Sequence, residues 1–166
     1  MANNPKRQVF FSFHYKKDCR RTAQIRNIGV IEGNAPISDN DWETLKNTGD
    51  ASVKKWIKDQ MKMRSCVVVL IGEETASRSW IRYEIEEAWN SEKGVVGIYI
   101  HNVKDPVTGK CNKGKNPFEN FTLENGEKLS DIVECFNPKA DDAYNDIATH
   151  ISDLVEDAIA TRDSYK

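Results

Sequence analysis

Two short stretches constrain this chain more than any others: "CVVVLI" at residues 66–71 and "GVVGIYI" at residues 94–100. Both are continuously apolar rather than alternating, so neither can turn one face to water. Strands of that kind belong in the middle of a parallel sheet that is covered on both sides. Parallel strands also need long crossovers, usually helical. The rest of the sequence supplies them. "QVFFSF" (8–13) reads as a buried strand, followed by a polar helix over 17–26 and a short second strand, "GVIE", at 29–32. Residues 33–50 are rich in Gly, Asn, Asp and Pro and read as a long loop with a helical turn near 41–46. Asp50 is placed to N-cap a helix whose apolar face is Val53, Trp56, Ile57 and Met61.

After the first central strand, a Ser/Thr-rich loop opens into a helix with Ser77 or Ser79 as its cap. After the second comes a lysine-rich loop over 101–121, then an edge strand at 131–136. The closing helix, 141–162, carries Tyr144, Ile147, Ala148, Ile151, Leu154, Val155, Ala158 and Ile159 at 3.6-residue spacing. This alternation predicts one α/β domain over 1–166, with a parallel sheet of about five strands and helices on both faces. The flavodoxin-like order 2-1-3-4-5 follows, and it puts a ligand crevice at the carboxyl ends of strands one and three.

Composition narrows the function. A net charge of −2 offers no electrostatic case for binding nucleic acid or an anionic membrane. No apolar run approaches the roughly 20 residues that span a bilayer, and the first residues lack a signal-peptide core. Four cysteines without a CxxC pair are expected to be reduced thiols of a cytoplasmic protein. Neither GxGxxG nor GxxxxGK[ST] occurs, and His14, His101 and His150 lack metal-ligand spacing with the cysteines. The expectation is a chain without resident cofactor or metal.

One residue breaks the pattern. In "ETASRSWIRYEIEEAW" (74–89), Trp80, Ile81, Ile85, Ala88 and Trp89 share half of the helical wheel, and Glu84 falls among them. Arg82, Tyr83, Glu86 and Glu87 take the other half, the side expected to face water. Glu84 lies too deep in the helix for a capping box. Two readings stand: a carboxylate at the rim of the core that snorkels or pairs with an arginine, or a desolvated carboxyl in the crevice, tuned for chemistry. Helical side chains tilt toward the N-terminus, so Glu84 would lean toward that crevice, where Ser12 and His14 leave the first strand. A lone histidine is more often structural than catalytic, and no catalytic triad follows from this pair.

Taken together, "VFFSFHYKKD" and "VVVLIGEETASRSWIRYEI" resemble the opening strand and a later segment of TIR domains, including a tryptophan four residues before a helical glutamate. With "DWETLKNTGDASVKKWI" and "KGKNPFENF", the chain resembles over residues 7–121 the TIR-like proteins of the Thoeris anti-phage defence system, the ThsB family. The C-terminal third has no match in that resemblance. What it implies is a TIR fold and cleavage of the nicotinamide–ribose bond of NAD+, taken as substrate rather than cofactor. The product would be a cyclic ADP-ribose-type signal read by a separate effector, with a phage-derived trigger and self-association. The family's catalytic glutamate maps onto Glu84. By the same resemblance, Phe11, Ser12, Phe13 and His14 line the nucleotide crevice, Trp42 is a candidate lid, and Ser77 and Trp80 flank Glu84. Residues 33–50 lack the proline-containing adaptor loop of animal TIR domains, although Pro36 lies there. A catalytically silent sensing module and a nucleoside deoxyribosyltransferase-like enzyme are the alternatives.

Overall fold

The computed structural model describes residues 6–35 and 37–166; residues 1–5 and Pro36 lie outside the described residues. Four parallel strands form the sheet: β1 (Val9–Ser12), β2 (Cys66–Ile71), β3 (Gly94–Tyr99) and β4 (Cys135–Phe136), in the order β1-β2-β3-β4. Registers run from Val9 beside Cys66, through Cys66 beside Gly94, to Gly97 beside Cys135. Every residue of β2 and β3 is buried, as their unbroken apolar runs require.

Helices cover both faces. On one side, α1 (Tyr15–Arg26) and α6 (Ala143–Asp163) pack Ile25, Ile147, Ile151 and Val155 against Val9, Phe11, Val68, Leu70 and Ile98. On the other, α3 (Asp50–Met61) and α4 (Ser79–Asn90) pack Val53, Ile57, Met61, Ile81 and Ile85 against Phe10, Val67, Val69 and Ile71. Two short helices complete the chain, α2 (Asp39–Asn47) and the single turn α5 (Leu129–Ile132). The structure therefore has the α/β architecture of the TIR and flavodoxin-like class.

The expected second strand does not form. Residues 29–32 contribute one isolated parallel bridge, Gln8 to Glu32, with Val9 N–H donating to the Glu32 carbonyl at 2.8 Å. That bridge lies on the far side of β1 from β2, so the expected order survives with its second strand reduced to one residue. The reason lies in what the next two residues meet on β1. Gly33 lies so close to the Phe11 ring that a Cβ there would stand 2.5 Å from ring carbons. The next position of the sheet edge is completed by a side chain, with Asn34 Oδ1 accepting from Phe11 N–H at 3.0 Å.

Other boundaries shift for similar reasons. The loop over 33–50 holds a full helix, α2, capped by Ser38 Oγ accepting from Asp41 N–H at 3.1 Å. Gly49, at φ +106°, occupies the N-cap of α3, so Asp50 sits in the first turn instead of capping it. Neither Ser77 nor Ser79 caps α4. Arg78 holds that position, and the Ser77 hydroxyl donates to the Glu74 carbonyl at 2.9 Å, closing the 3-10 turn Thr75–Ser77. The edge strand contracts to Cys135–Phe136 because residues 129–132 close a helical turn first. In α6, Tyr144 is exposed, and the buried face opens on Ala143 instead.

Removing the Asn34 acceptor would orphan a buried Phe11 N–H, a loss that costs about 1–3 kcal/mol. Asn34→Ala should therefore lower unfolding free energy by that amount in urea titrations, and Asn34→Asp, which keeps an acceptor oxygen, should lose less.

Candidate functional site

Glu84 is the only acidic residue on the buried face of α4, with 8% of its surface exposed, beside buried Ile81, Ile85 and Ala88. Of the other two glutamates of α4, Glu86 is exposed and Glu87 is half-buried, accepting from Ser91 Oγ at 3.3 Å. Tyr83 departs from the wheel: it is half-buried, edge-on to Trp80 with ring centroids 5.8 Å apart, and Lys54 lies over its ring. Contact with α3, invisible to a single-helix projection, pulls it inward.

The last residue of β1 meets Glu84. Ser12 Oγ, fully buried, donates to Glu84 Oε1 at 3.2 Å. No cation pairs with the carboxyl among the described residues. Burial pushes its pKa up to about 8, only partly opposed by the Ser12 hydrogen bond. His14, two residues beyond Ser12 and 8% exposed, caps α1 through Nδ1, which accepts from Lys17 N–H at 3.3 Å. That bond assigns the proton of the neutral ring to Nε2. Burial first, and then Arg78, lower the histidine's pKa, so neutral is the form it holds at pH 7.

Above Glu84 opens a cavity of about 920 Å³. One wall is aromatic and continuous: Phe13, Tyr15, Trp42 and Trp56 follow one another with centroids 5.9, 6.3 and 5.9 Å apart. Trp80 stands on the Glu84 side. Lys16, Lys17, Arg20, Arg26, Lys46 and Arg78 also line it, against the carboxyls of Glu43, Glu74 and Glu84. The cavity is thus cationic in a chain whose net charge is −2. Such a space, with flat apolar walls, a cationic rim and one desolvated carboxyl, suits a ligand with a planar ring and anionic groups.

Two loops beside α1 are pinned by a buried ion pair. Arg21 Nη1 donates to Asp18 Oδ1 at 2.8 Å, while Arg21 also reaches the carbonyls of Val103 and Gly109. A Cβ on Gly72, at the end of β2, would stand 2.1 Å from Asp18 Oδ2, and one on Gly114 would stand 2.0 Å from the Gly72 carbonyl oxygen. Glycine at both positions lets the loops after β2 and β3 close onto α1.

Of the residues singled out in the sequence, Phe11, Phe13, His14, Trp42, Trp80 and Glu84 line the cavity, and Ser12 reaches it through Glu84. Ser77 does not. It is exposed, and its hydroxyl is used by the 3-10 turn. Sequence reading missed Tyr15, Trp56 and Arg78. Trp56 reads as plain core on its helix, and Arg78 carries no periodic signal. Among the described residues, no group of three or more His, Cys, Asp or Glu side chains is placed to hold a metal ion. No helix there is long and apolar enough to cross a membrane. All four cysteines are free.

Comparison with known proteins converges on one family. The family described as "Thoeris protein ThsB, TIR-like domain" matches residues 10–105, which span β1 to the loop after β3. A protein of Bacillus cereus (strain MSX-D12) named "Putative cyclic ADP-D-ribose synthase ThsB1" is 36% identical over 118 residues. That match covers 68% of this chain and 62% of the relative, so the chain spans less than two thirds of that protein's length.

The buried carboxyl also sets a pH dependence of stability. Its pKa is near 8 folded and about 4.3 unfolded, so between those values the folded state holds more protons. Stability therefore falls as pH rises through that window. Glu84→Gln removes the ionisation and keeps the shape. The variant should match the parent near pH 4.5 and exceed it by a few kcal/mol (on the order of 3–5) near pH 9 in urea unfolding.

Proposed function

The chain belongs to the TIR-like ThsB family of Thoeris proteins, and from that premise we propose that it cleaves the nicotinamide–ribose bond of NAD+ and rearranges the ADP-ribose that remains. The observation that carries this reading is the desolvated Glu84 carboxyl, held by Ser12 at a cavity of about 920 Å³ with aromatic walls and a cationic rim. A dinucleotide has the parts that such a space would take: two flat bases, two sugars and a diphosphate.

The chemistry follows from charge. When the glycosidic C–N bond breaks, its electron pair leaves with nicotinamide, which departs neutral, and positive charge develops on the ribose. A carboxylate beside that sugar stabilises the charge and hydrogen-bonds its hydroxyls, most strongly where water is excluded. The cationic pyridinium of NAD+ favours the ionised form of Glu84, so the substrate itself would draw the carboxyl from neutral to charged. A nucleophile then attacks C1′ and loses its proton. Water would give linear ADP-ribose, whereas an atom of the same molecule would give a cyclic product. The name of the Bacillus cereus relative favours the second outcome. In this reading NAD+ is the only small molecule required, and the product passes to a separate effector after a phage-derived trigger. The protein works as a self-associating cytoplasmic enzyme that needs neither nucleic acid nor membrane.

Glu84→Gln should cut nicotinamide release at least about 10²-fold, the scale for losing one electrostatic stabiliser, while Glu86→Gln should leave it unchanged. Mass spectrometry of small molecules, from purified protein and from phage-infected cells carrying each variant, reads this directly. Full defence by Glu84→Gln cells would show a sensing module rather than an enzyme. Base exchange on free deoxynucleosides without NAD+ would show a nucleoside transferase.

A further inference from the structure

Two helices begin at this cavity. α1 starts at the end of β1, and α4, 12 residues long, follows the 3-10 turn after β2. Each points the positive end of its dipole at the same space. At α4 the N-terminus is bare. No side chain caps it, no acidic residue stands in its first turn, and the N–H groups of Ser79, Trp80 and Ile81 have no partner among the described residues. Arg78, Ser79, Trp80 and Ile81 all line the cavity. The Arg78 side chain is exposed and makes no hydrogen bond or ion pair among the described residues, whereas nearby Lys17 already pairs with Glu74 at 3.6 Å.

A second, independent group points to a ligand there. His14 is more than nine-tenths buried and lines the cavity, and its Nδ1 is committed to the α1 cap. Its Nε2–H has no partner among the described residues and is not among the atoms sealed from solvent, so it is left to donate into the cavity. Arg78 lines the same cavity as this ring, and its charge makes protonation of the histidine harder. A guanidinium, a histidine N–H and a free helix N-terminus facing one space are complementary to an anion that accepts several hydrogen bonds at once.

We propose that Arg78, His14 Nε2–H and the first-turn N–H groups of α4 form the subsite that grips the diphosphate of the dinucleotide. The proposal rests on the NAD-cleaving reading for the identity of the ligand, but its geometry stands apart from Glu84. Glu84 is the sixth residue of α4, about 7.5 Å along the axis from its start, and its side chain leans back toward that end. A phosphate held on the first turn therefore brings the sugar attached to it over the Glu84 carboxyl. Arg78 and His14 are in this sense positioning residues: they fix where the ribose lies and leave the bond-breaking to Glu84.

The test is titration calorimetry of the full chain with ADP-ribose, and with adenosine as a probe that lacks phosphate. Arg78→Gln should weaken ADP-ribose binding by roughly tenfold or more, and His14→Asn, which can still cap α1, should weaken it less. Arg82→Gln, exposed on the same helix, should bind as the parent does. Adenosine should bind more weakly than ADP-ribose and equally to parent and Arg78→Gln. Equal ADP-ribose affinity for parent and Arg78→Gln, or adenosine binding as tightly as ADP-ribose, would overturn the subsite. Thermal midpoints of each variant separate lost binding from lost fold. In a Glu84→Gln background, Arg78→Gln should weaken ADP-ribose binding by the same factor as in the parent. Arg78-dependent binding by a protein that never releases nicotinamide would remove the catalytic reading and leave this one standing.

Discussion

All six residues of β2 are shielded from water, and that burial organises the rest of the molecule. A parallel strand in such a place needs neighbours on both edges and helices over both faces. The crossovers between parallel strands then return every following loop to the same end of the sheet. The carboxyl ends of β1 and β2 are adjacent because Ser12 is in register with Val69. From there, α1 leaves on one face and α4 on the other, so two helix N-termini flank one crevice. The cavity is thus a consequence of how two apolar strands are buried, and its polar groups are what the chain places at that fixed opening.

A second constraint holds α1 in place beside the sheet. Asp18 and Arg21 are buried together, with Asp18 Oδ2 lacking any partner among the described residues and burial raising its pKa against the pull of Arg21. A pair of this kind contributes little net stability, because desolvation offsets most of the attraction, yet it fixes geometry firmly. Here it ties α1 to the loop after β3. Arg20 reinforces the tie through Asp105, whose carboxyl its hydrogen bond holds down at about 2. These contacts join residues more than 80 positions apart, and through them the loop after β3 holds α1, whose first residues line the cavity.

That separation explains what was legible in the sequence. β2, β3 and the buried face of α4 could be read because their signal is periodic and local, and Glu84 stood out as an exception to a strong local rule. The strand expected at residues 29–32 failed because sheet pairing is a property of two segments. Gly33 and Asn34 settle the edge by contact with Phe11, which no window around them contains. Ser77 had the composition of a cap, yet its hydroxyl is used by a turn that closes one residue before the helix. Trp56 has the spacing of a core residue and is one, and only the approach of Trp42 makes it part of the cavity wall as well. The residues missed share one trait: their role depends on what the topology brings to them.

Glu84 shows why so unfavourable a residue can persist in the core. An acid buried beside isoleucines with only one hydroxyl for company is held neutral, and its ionisation opposes folding across the physiological range. A lysine or arginine at its side would remove that penalty and also remove its use, since a paired carboxylate has little field left for a ligand. Ser12 is a weaker companion. It donates one hydrogen bond, keeps an oxygen oriented, and leaves the other lone pairs facing the cavity. The carboxyl can then become charged when positive charge arrives with a ligand, which offsets the cost that burial puts on its ionisation. In the proposed reaction that charge passes from the pyridinium ring to the ribose as the bond breaks. An unpaired, largely desolvated carboxyl responds to such a transfer far more strongly than one already neutralised by a cation.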